Sequence, residues 1–348
     1  MFDVKSLYNY VAMIGLIMLA GYFSDKFKTY FEPKDDQYEL IRKYLLNESP
    51  LYGYNKTKMW IHSKYELNAR SWKSFHSRSS TDLNQPYLHL AIKTIINHCN
   101  DDFHICLIDD DSFSKLIPDW DINLPGLPEP MKDHMRELGL IKLLYIYGGV
   151  IVPNSFICCK NIKGLYDEGT IGDKPFMCEA VNRNENINTS VNKSRLAFKP
   201  NTYFMGAKKN NSVIRELIDY LKQRNSNQHF SSDIDLLGDT SEWALSEIHR
   251  GKMNMIGGEL IGVKTKDRKP ILIEDLVEEK FLALVPNYYG VYIPGDDFLE
   301  RTKYQWFPAL SSEEILKSNM AISKYIVASM VDDYNRVENT EIKSVLTI

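Results

Sequence analysis

With 348 residues, 44% of them hydrophobic and 25% charged, the chain has an ordinary globular balance and room for one large domain or two small ones. A formal net charge of -4 without any long block of like charge excludes a general nucleic-acid binder, which needs a basic face. Five cysteines, an odd count with no Cys-x-x-Cys pair, argue against a zinc site and demand no oxidising compartment.

The first predicted element is apolar. Leu7 to Phe23 runs 17 residues without a formal charge, near the ~20 that a bilayer core takes. Tyr8, Tyr10, Tyr22 and Phe23 stand at its ends, where amphipathic rings favour the interface. Asp3 offsets Lys5 and Ala20-Gly21-Tyr22 makes a poor cleavage exit, so an uncleaved single-pass anchor is expected, with the lipid bilayer as partner. Residues 1–6 precede it, and 24–37 read as a polar, aromatic stalk. Sidedness pulls two ways. Lys26, Lys28 and Lys34 favour a cytosolic body. Asn47-Glu48-Ser49, Asn55-Lys56-Thr57, Asn188-Thr189-Ser190, Asn192-Lys193-Ser194 and Asn210-Asn211-Ser212 match the glycosylation pattern and suit a luminal one.

The body, residues 38–331, reads as one α/β domain. Tyr38 to Leu46 is a short helix. Lys58-Met59-Trp60-Ile61-His62 is a first strand. In Gln85 to His98 the apolar Leu88, Leu90, Ala91, Ile95 and Ile96 follow helical spacing. Phe103 to Ile108 is a buried strand that ends on Asp109-Asp110-Asp111-Ser112. Four prolines make Pro118 to Pro130 a loop. Met131 to Tyr147 is a long helix, and the β-branched strand after Gly148-Gly149 leads to Phe156 and the buried thiols Cys158-Cys159. Thr202 to Ala207 is a strand, and Ser212 caps a helix to Arg224. Gly257-Gly258 reads as a hairpin turn. Ser311-Ser312-Glu313-Glu314 carries a capping box ahead of one long helix to about Val331, and 332–348 is a polar tail. Strands alternating with helices predict layers around a mainly parallel sheet.

The run Leu140 to Phe156, an apolar helix entering Tyr147-Gly148-Gly149 and then Val150-Ile151-Val152, resembles the centre of glycosyltransferases with an Asp-x-Asp sugar-binding region. These include the yeast-type initiating mannosyltransferases and the capsular polysaccharide synthesis enzymes. Lys58 to His62 and Phe103 to Asp111 resemble their first two strands, so the resemblance covers about Lys58 to Lys163. It implies a nucleotide-binding, glycosyltransferase-A-like domain. In such enzymes Mn or Mg offsets the charge of the leaving diphosphate and takes carboxylate oxygens. An upstream Asp-x-x-Arg pair helps to hold the nucleotide.

Aligned on Gly148-Gly149, the upstream pair falls on Glu137 and Leu140, and the Asp-x-Asp falls on Pro153 and Ser155 around Asn154. Lys142 lies near the lost arginine position, but two residues turn a helical side chain through about 200°. Arg136 substitutes only if the alignment slips. The substrate-side candidates are therefore Glu137, Gly148, Gly149, Asn154 and Ser155, with no metal ligand and no cofactor expected. Should the chain be active, Asp109, Asp111 and Asp239 are the catalytic candidates and Mn or Mg returns. The ordinary reading of the triple acid is that Asp111 or Ser112 caps a helix, and an isolated Asp such as Asp239, or the pair Asp233 and Asp235, serves a cap or turn. Tyr288, Tyr289, Tyr292, Trp306 and Phe307 have core packing as their default, against stacking on a sugar. The eight histidines show no metal-ligand spacing.

Three functions follow. The first is a membrane-anchored glycosyltransferase-like protein without metal-dependent catalysis, structural or binding a carbohydrate or protein partner. The Gly148 to Phe156 run is also similar to glycosyltransferase-like proteins of large DNA viruses, which suits a virion membrane as well as the host secretory pathway. The second is an active transferase with a relocated acidic site. The third is an anchored structural protein of another fold.

Overall fold

A computed structural model describes residues 56–63, 85–128, 130–182, 197–227 and 233–330, the side chains of 227–238 and Glu300 excepted. The expected anchor, the stalk, the helix at Tyr38 to Leu46 and the polar tail lie outside the described residues. Among the described residues, no helix is long and apolar enough to cross a membrane.

Strands β1 (Thr57–His62), β2 (Phe103–Ile108), β3 (Gly149–Ile151), β5 (Phe176–Val181), β6 (Phe198–Ala207) and β7 (Asn254–Ile256) form one sheet in the order β2-β1-β3-β6-β5-β7. β1 is parallel to β2 and β3, and β5 to β7, whereas β6 runs antiparallel to both its neighbours. The fold is thus mixed α/β with a mainly parallel central sheet, as the alternation of elements predicts. β5 and β6 are joined at the end of their ladder by Asn182 N–H to Ala197 O, 2.8 Å.

Both faces of the sheet are covered. Trp60, Cys106, Ile108, Ile151, Met177 and Met205 pack in one core with Leu138, Ile141 and Leu144 of α3 (Met131–Tyr147) and Ile214, Leu217 and Leu221 of α5 (Ser212–Asn227). The alternate strand residues Met59, Ile61, Ile105, Leu107 and Val150 are equally buried, which gives the strands the continuous apolar runs of a two-sided sheet. A second core joins Tyr87, Leu88 and Leu90 of α1 (Pro86–Cys99) to Ile157, Val291 and Ile293 and to the carboxyl-terminal segment around Phe298, Phe307 and Ile322. It contains a two-stranded antiparallel ribbon of β4 (Phe156–Cys158) and β8 (Gly290–Tyr292). Each fully buried Ile, Leu or Phe contributes roughly 1.5–3 kcal/mol.

Three local expectations change. The cap of α5 is Asn211, whose Oδ1 accepts from Val213 N–H (3.0 Å) and Ile214 N–H (3.2 Å), so Ser212 is already inside the helix. The capping box at Ser311 and Glu314 is present, but its helix covers only Ser312–Lys317. The chain then breaks, Ala321 N–H turning to Glu278 O at 2.9 Å, before a separate helix over 321–330. Gly257-Gly258 opens a turn closed by Leu260 N–H to Gly257 O (3.1 Å), yet the residues after it do not pair with β7, which lies parallel to β5.

Candidate functional site

β1 connects through α1 to β2 on one side, and the chain then crosses back to lay β3 on the other side of β1. In an open α/β sheet this reversal opens a crevice at the carboxyl ends of the strands, where ligands gather. His62, Asp109-Asp110 and Val152-Pro153-Asn154-Ser155 all leave strands at that edge. The ladder continues just past the strands, with Ser63 N–H donating to Ile108 O (2.9 Å) and Val152 N–H to Trp60 O (3.0 Å).

Asp110 is the centre of this edge. Its Oδ1 lies 3.0 Å from His62 Nε2. A carboxylate only accepts, so the proton facing it sits on Nε2. Arg136 Nε donates to Oδ1 (2.9 Å) and Arg136 Nη2 to Oδ2 (2.7 Å), a two-pronged grip. The remaining fork of the guanidinium reaches Asp133 Oδ1 at 2.7 Å. His62 stacks on Phe113, ring centres 5.5 Å apart. Arg136 is only 7% exposed in its side chain and Asp110 22%. Burial pushes the Asp110 carboxyl up, but the hydrogen bonds and charges of His62 and Arg136 outweigh it and hold the group far below the usual carboxylate range.

Asp133 and Arg136 are an Asp-x-x-Arg pair in their own right, one helical turn before the positions reached by alignment on the glycines. That spacing is legible on α3, one turn ahead of the positions fixed by Gly148-Gly149. His62 carries the weaker signal of ending the first strand, and Asp110 that of being the middle acid of three.

The expected site residues have other places. Glu137 does reach this region, its Oε1 accepting from Thr202 Oγ1 of β6 at 2.6 Å. Gly148 and Gly149 do not: they stand at the amino end of β3, Gly149 against Lys58 near the start of β1 and Gly148 against Ala207 and Lys209. Both have positive φ (71° and 109°), and a Cβ on Gly149 would meet Lys58 O at 2.1 Å. Their role is the tight turn that lets β3 close on β1. Trp60 Nε1–H donates to Gly148 O at 3.0 Å and fastens the turn.

The Asp-x-Asp positions form a turn, with Phe156 N–H donating to Pro153 O (3.1 Å). Ser155 is buried, and its Oγ–H donates to Ile293 O at 2.6 Å, tying the turn to the residue after β8. Asn154 is half-buried.

Asp109, rather than Asp111 or Ser112, does the capping: its Oδ1 accepts from Ser112 N–H (3.0 Å) and Ser112 Oγ–H (2.5 Å) at the start of α2 (Ser112–Leu116). Asp111 is exposed. Asp239 belongs to α6 (Asp233–His249) and pairs with Arg224 of α5. Lys142 lies 5.2 Å from the Trp120 ring centre, away from the Arg136 cluster on the helix surface.

The aromatic candidates divide. Tyr288 meets Tyr325 edge-on at 6.1 Å and Phe307 is buried against Phe298 at 4.5 Å, while Trp306 is 46% exposed. Among the described residues, no three His, Cys, Asp or Glu side chains are grouped to hold a metal ion. No family model, no curated protein and no solved structure matches this chain.

Proposed function

We propose that this chain is a membrane-anchored protein with a glycosyltransferase-A-like domain that has given up metal-dependent sugar transfer and serves as a structural or binding component, with a virion membrane or the secretory pathway as its setting and a carbohydrate or a protein as its partner. The observation that carries the reading is the state of Asp110. It is a half-buried carboxylate at this strand edge, and it already accepts from His62 and is neutralised by Arg136. A divalent ion there would have to displace a two-pronged guanidinium. The turn at Pro153 to Ser155 offers neutral groups, and the Ser155 hydroxyl is already bonded to Ile293 O.

The alternative of a relocated acidic site finds less support. Asp109 is held in a helix cap, Asp111 is exposed, and Asp239 is paired within the helical layer. The test is calorimetric titration of the full chain with common sugar nucleotides, with and without Mn. The expected result is no metal-dependent binding. Tight binding that requires Mn, or sugar-nucleotide turnover abolished by Asp109→Ala or Asp111→Ala, overturns the reading.

A further inference from the structure

Cys99, the last residue of α1, and Cys158, the last residue of β4, are both fully buried, with their Sγ atoms 3.7 Å apart. The backbone is held firmly on the β4 side. Cys158 N–H donates to Thr94 Oγ1 of α1 at 2.8 Å, and Ser329 Oγ–H donates to Cys158 O at 2.5 Å. Helix and strand are therefore already in register, and the two thiols face each other across the contact. A disulfide needs sulfurs about 2.05 Å apart, closer than the 3.7 Å between these two thiols.

Cys159 and Cys106 are turned elsewhere. Successive strand residues point to opposite faces. Cys159 Sγ, next to Cys158, lies toward Ile157 O (3.9 Å), and on β2 Cys106 Sγ lies toward His104 O (3.6 Å). Cys158 S–H donates to Lys160 O at 3.1 Å, a weak contact that oxidation would give up.

We propose that Cys99 and Cys158 are a disulfide-forming pair, joined when the chain folds in the presence of a small-molecule disulfide such as oxidised glutathione. One protein thiolate attacks the glutathione disulfide, forming a mixed disulfide and releasing one glutathione thiolate. The second protein thiolate attacks the protein sulfur of that mixed disulfide and releases the other. The protein loses two protons and two electrons, and the oxidant becomes two glutathione thiols. Both sulfurs are sealed in the folded protein, so exchange precedes closure of the core. The folded reduced protein is inert to the same oxidant.

The experiment is refolding of the denatured, reduced full chain with oxidised glutathione or with dithiothreitol, followed by thiol alkylation, peptide mapping and thermal melting. If the chain does not refold in vitro, expression in an oxidising and in a reducing compartment gives the same readouts. The expected result is a Cys99–Cys158 link, three of the five thiols left to alkylate, and a melting midpoint about 5–10 °C above the reduced form. The folded reduced protein keeps all five thiols on exposure to oxidant. Folded protein with five free thiols after the oxidising route, or a link through Cys106, Cys159 or Cys178, overturns the proposal. So does an oxidant-dependent rise in melting that persists in Cys99→Ala. Should that variant not fold, the map of the wild-type protein decides.

Discussion

Arg136 holds Asp110 through two nitrogens and uses its third to hold Asp133, so one guanidinium fastens helix α3 to the end of strand β2. Removing one partner of a buried pair leaves an uncompensated charge, which costs about 3–5 kcal/mol. Arg136→Met is expected to lower unfolding free energy by about 3 kcal/mol, and Arg136→Lys by less, because a single ammonium cannot reproduce the fork. Urea denaturation followed by circular dichroism checks the order. A loss under 1 kcal/mol in Arg136→Met would show that the crevice does not depend on this residue.

The same cluster sets an acid response. The folded-state carboxyl of Asp110 titrates below its unfolded value of about 3.9. Its contribution to stability is therefore present above that value and is lost as pH falls through the folded one. Asp110→Asn is expected to be less stable than wild type at pH 7 by about 2–3 kcal/mol, and the gap should narrow steadily below pH ~4. Urea midpoints from pH 7 down to pH 2 measure it. Parallel curves for the two proteins would contradict the assignment.

Gly149 has no room for a side chain. A methyl group there collides with the Lys58 backbone and has an unfavourable φ of 109°. Gly149→Ala is expected to destabilise by roughly 3 kcal/mol or more. Recovery of soluble protein and its melting midpoint are the readouts, and a variant that melts like wild type would mean that β3 does not close on β1 in this way.

Ser155 tests the proposed loss of metal binding directly. Ser155→Ala removes one buried hydrogen bond and is expected to cost about 1–2 kcal/mol. Ser155→Asp places a carboxylate against the Ile293 carbonyl and is expected to cost about 3 kcal/mol or more, without bringing Mn binding. Denaturation and Mn titration on both variants provide the check. Manganese binding gained by Ser155→Asp would mean that one substitution separates this crevice from a metal site.

The elements easiest to read in the sequence carry an uninterrupted physical signal. The apolar run of Phe103 to Ile108 and the long helix Met131 to Tyr147 have the predicted bounds, and the Ser311–Glu314 box is present with both reciprocal bonds. The helix after that box ends at Lys317, where Ser318 turns extended, and Ala321 N–H then donates to Glu278 O, a tertiary bond that local pattern does not encode. The ribbon of β4 and β8 pairs Phe156 with Tyr292, a partnership between distant segments that local pattern does not encode. The site was legible only in part. The places of Glu137 on α3 and of Pro153 to Ser155 just past β3 follow from local pattern, whereas the joining of His62, Asp110 and Arg136 depends on which strand ends the sheet order makes neighbours.

β6 runs against its neighbours, and its ladder with β5 closes through Asn182 and Ala197. The ends of β1 and β5, at His62 and Val181, and the start of β6, at Phe198, therefore lie on one rim of the sheet. A lineage that needed a new clientele could redraft that rim and leave every strand of the barrier beneath it untouched.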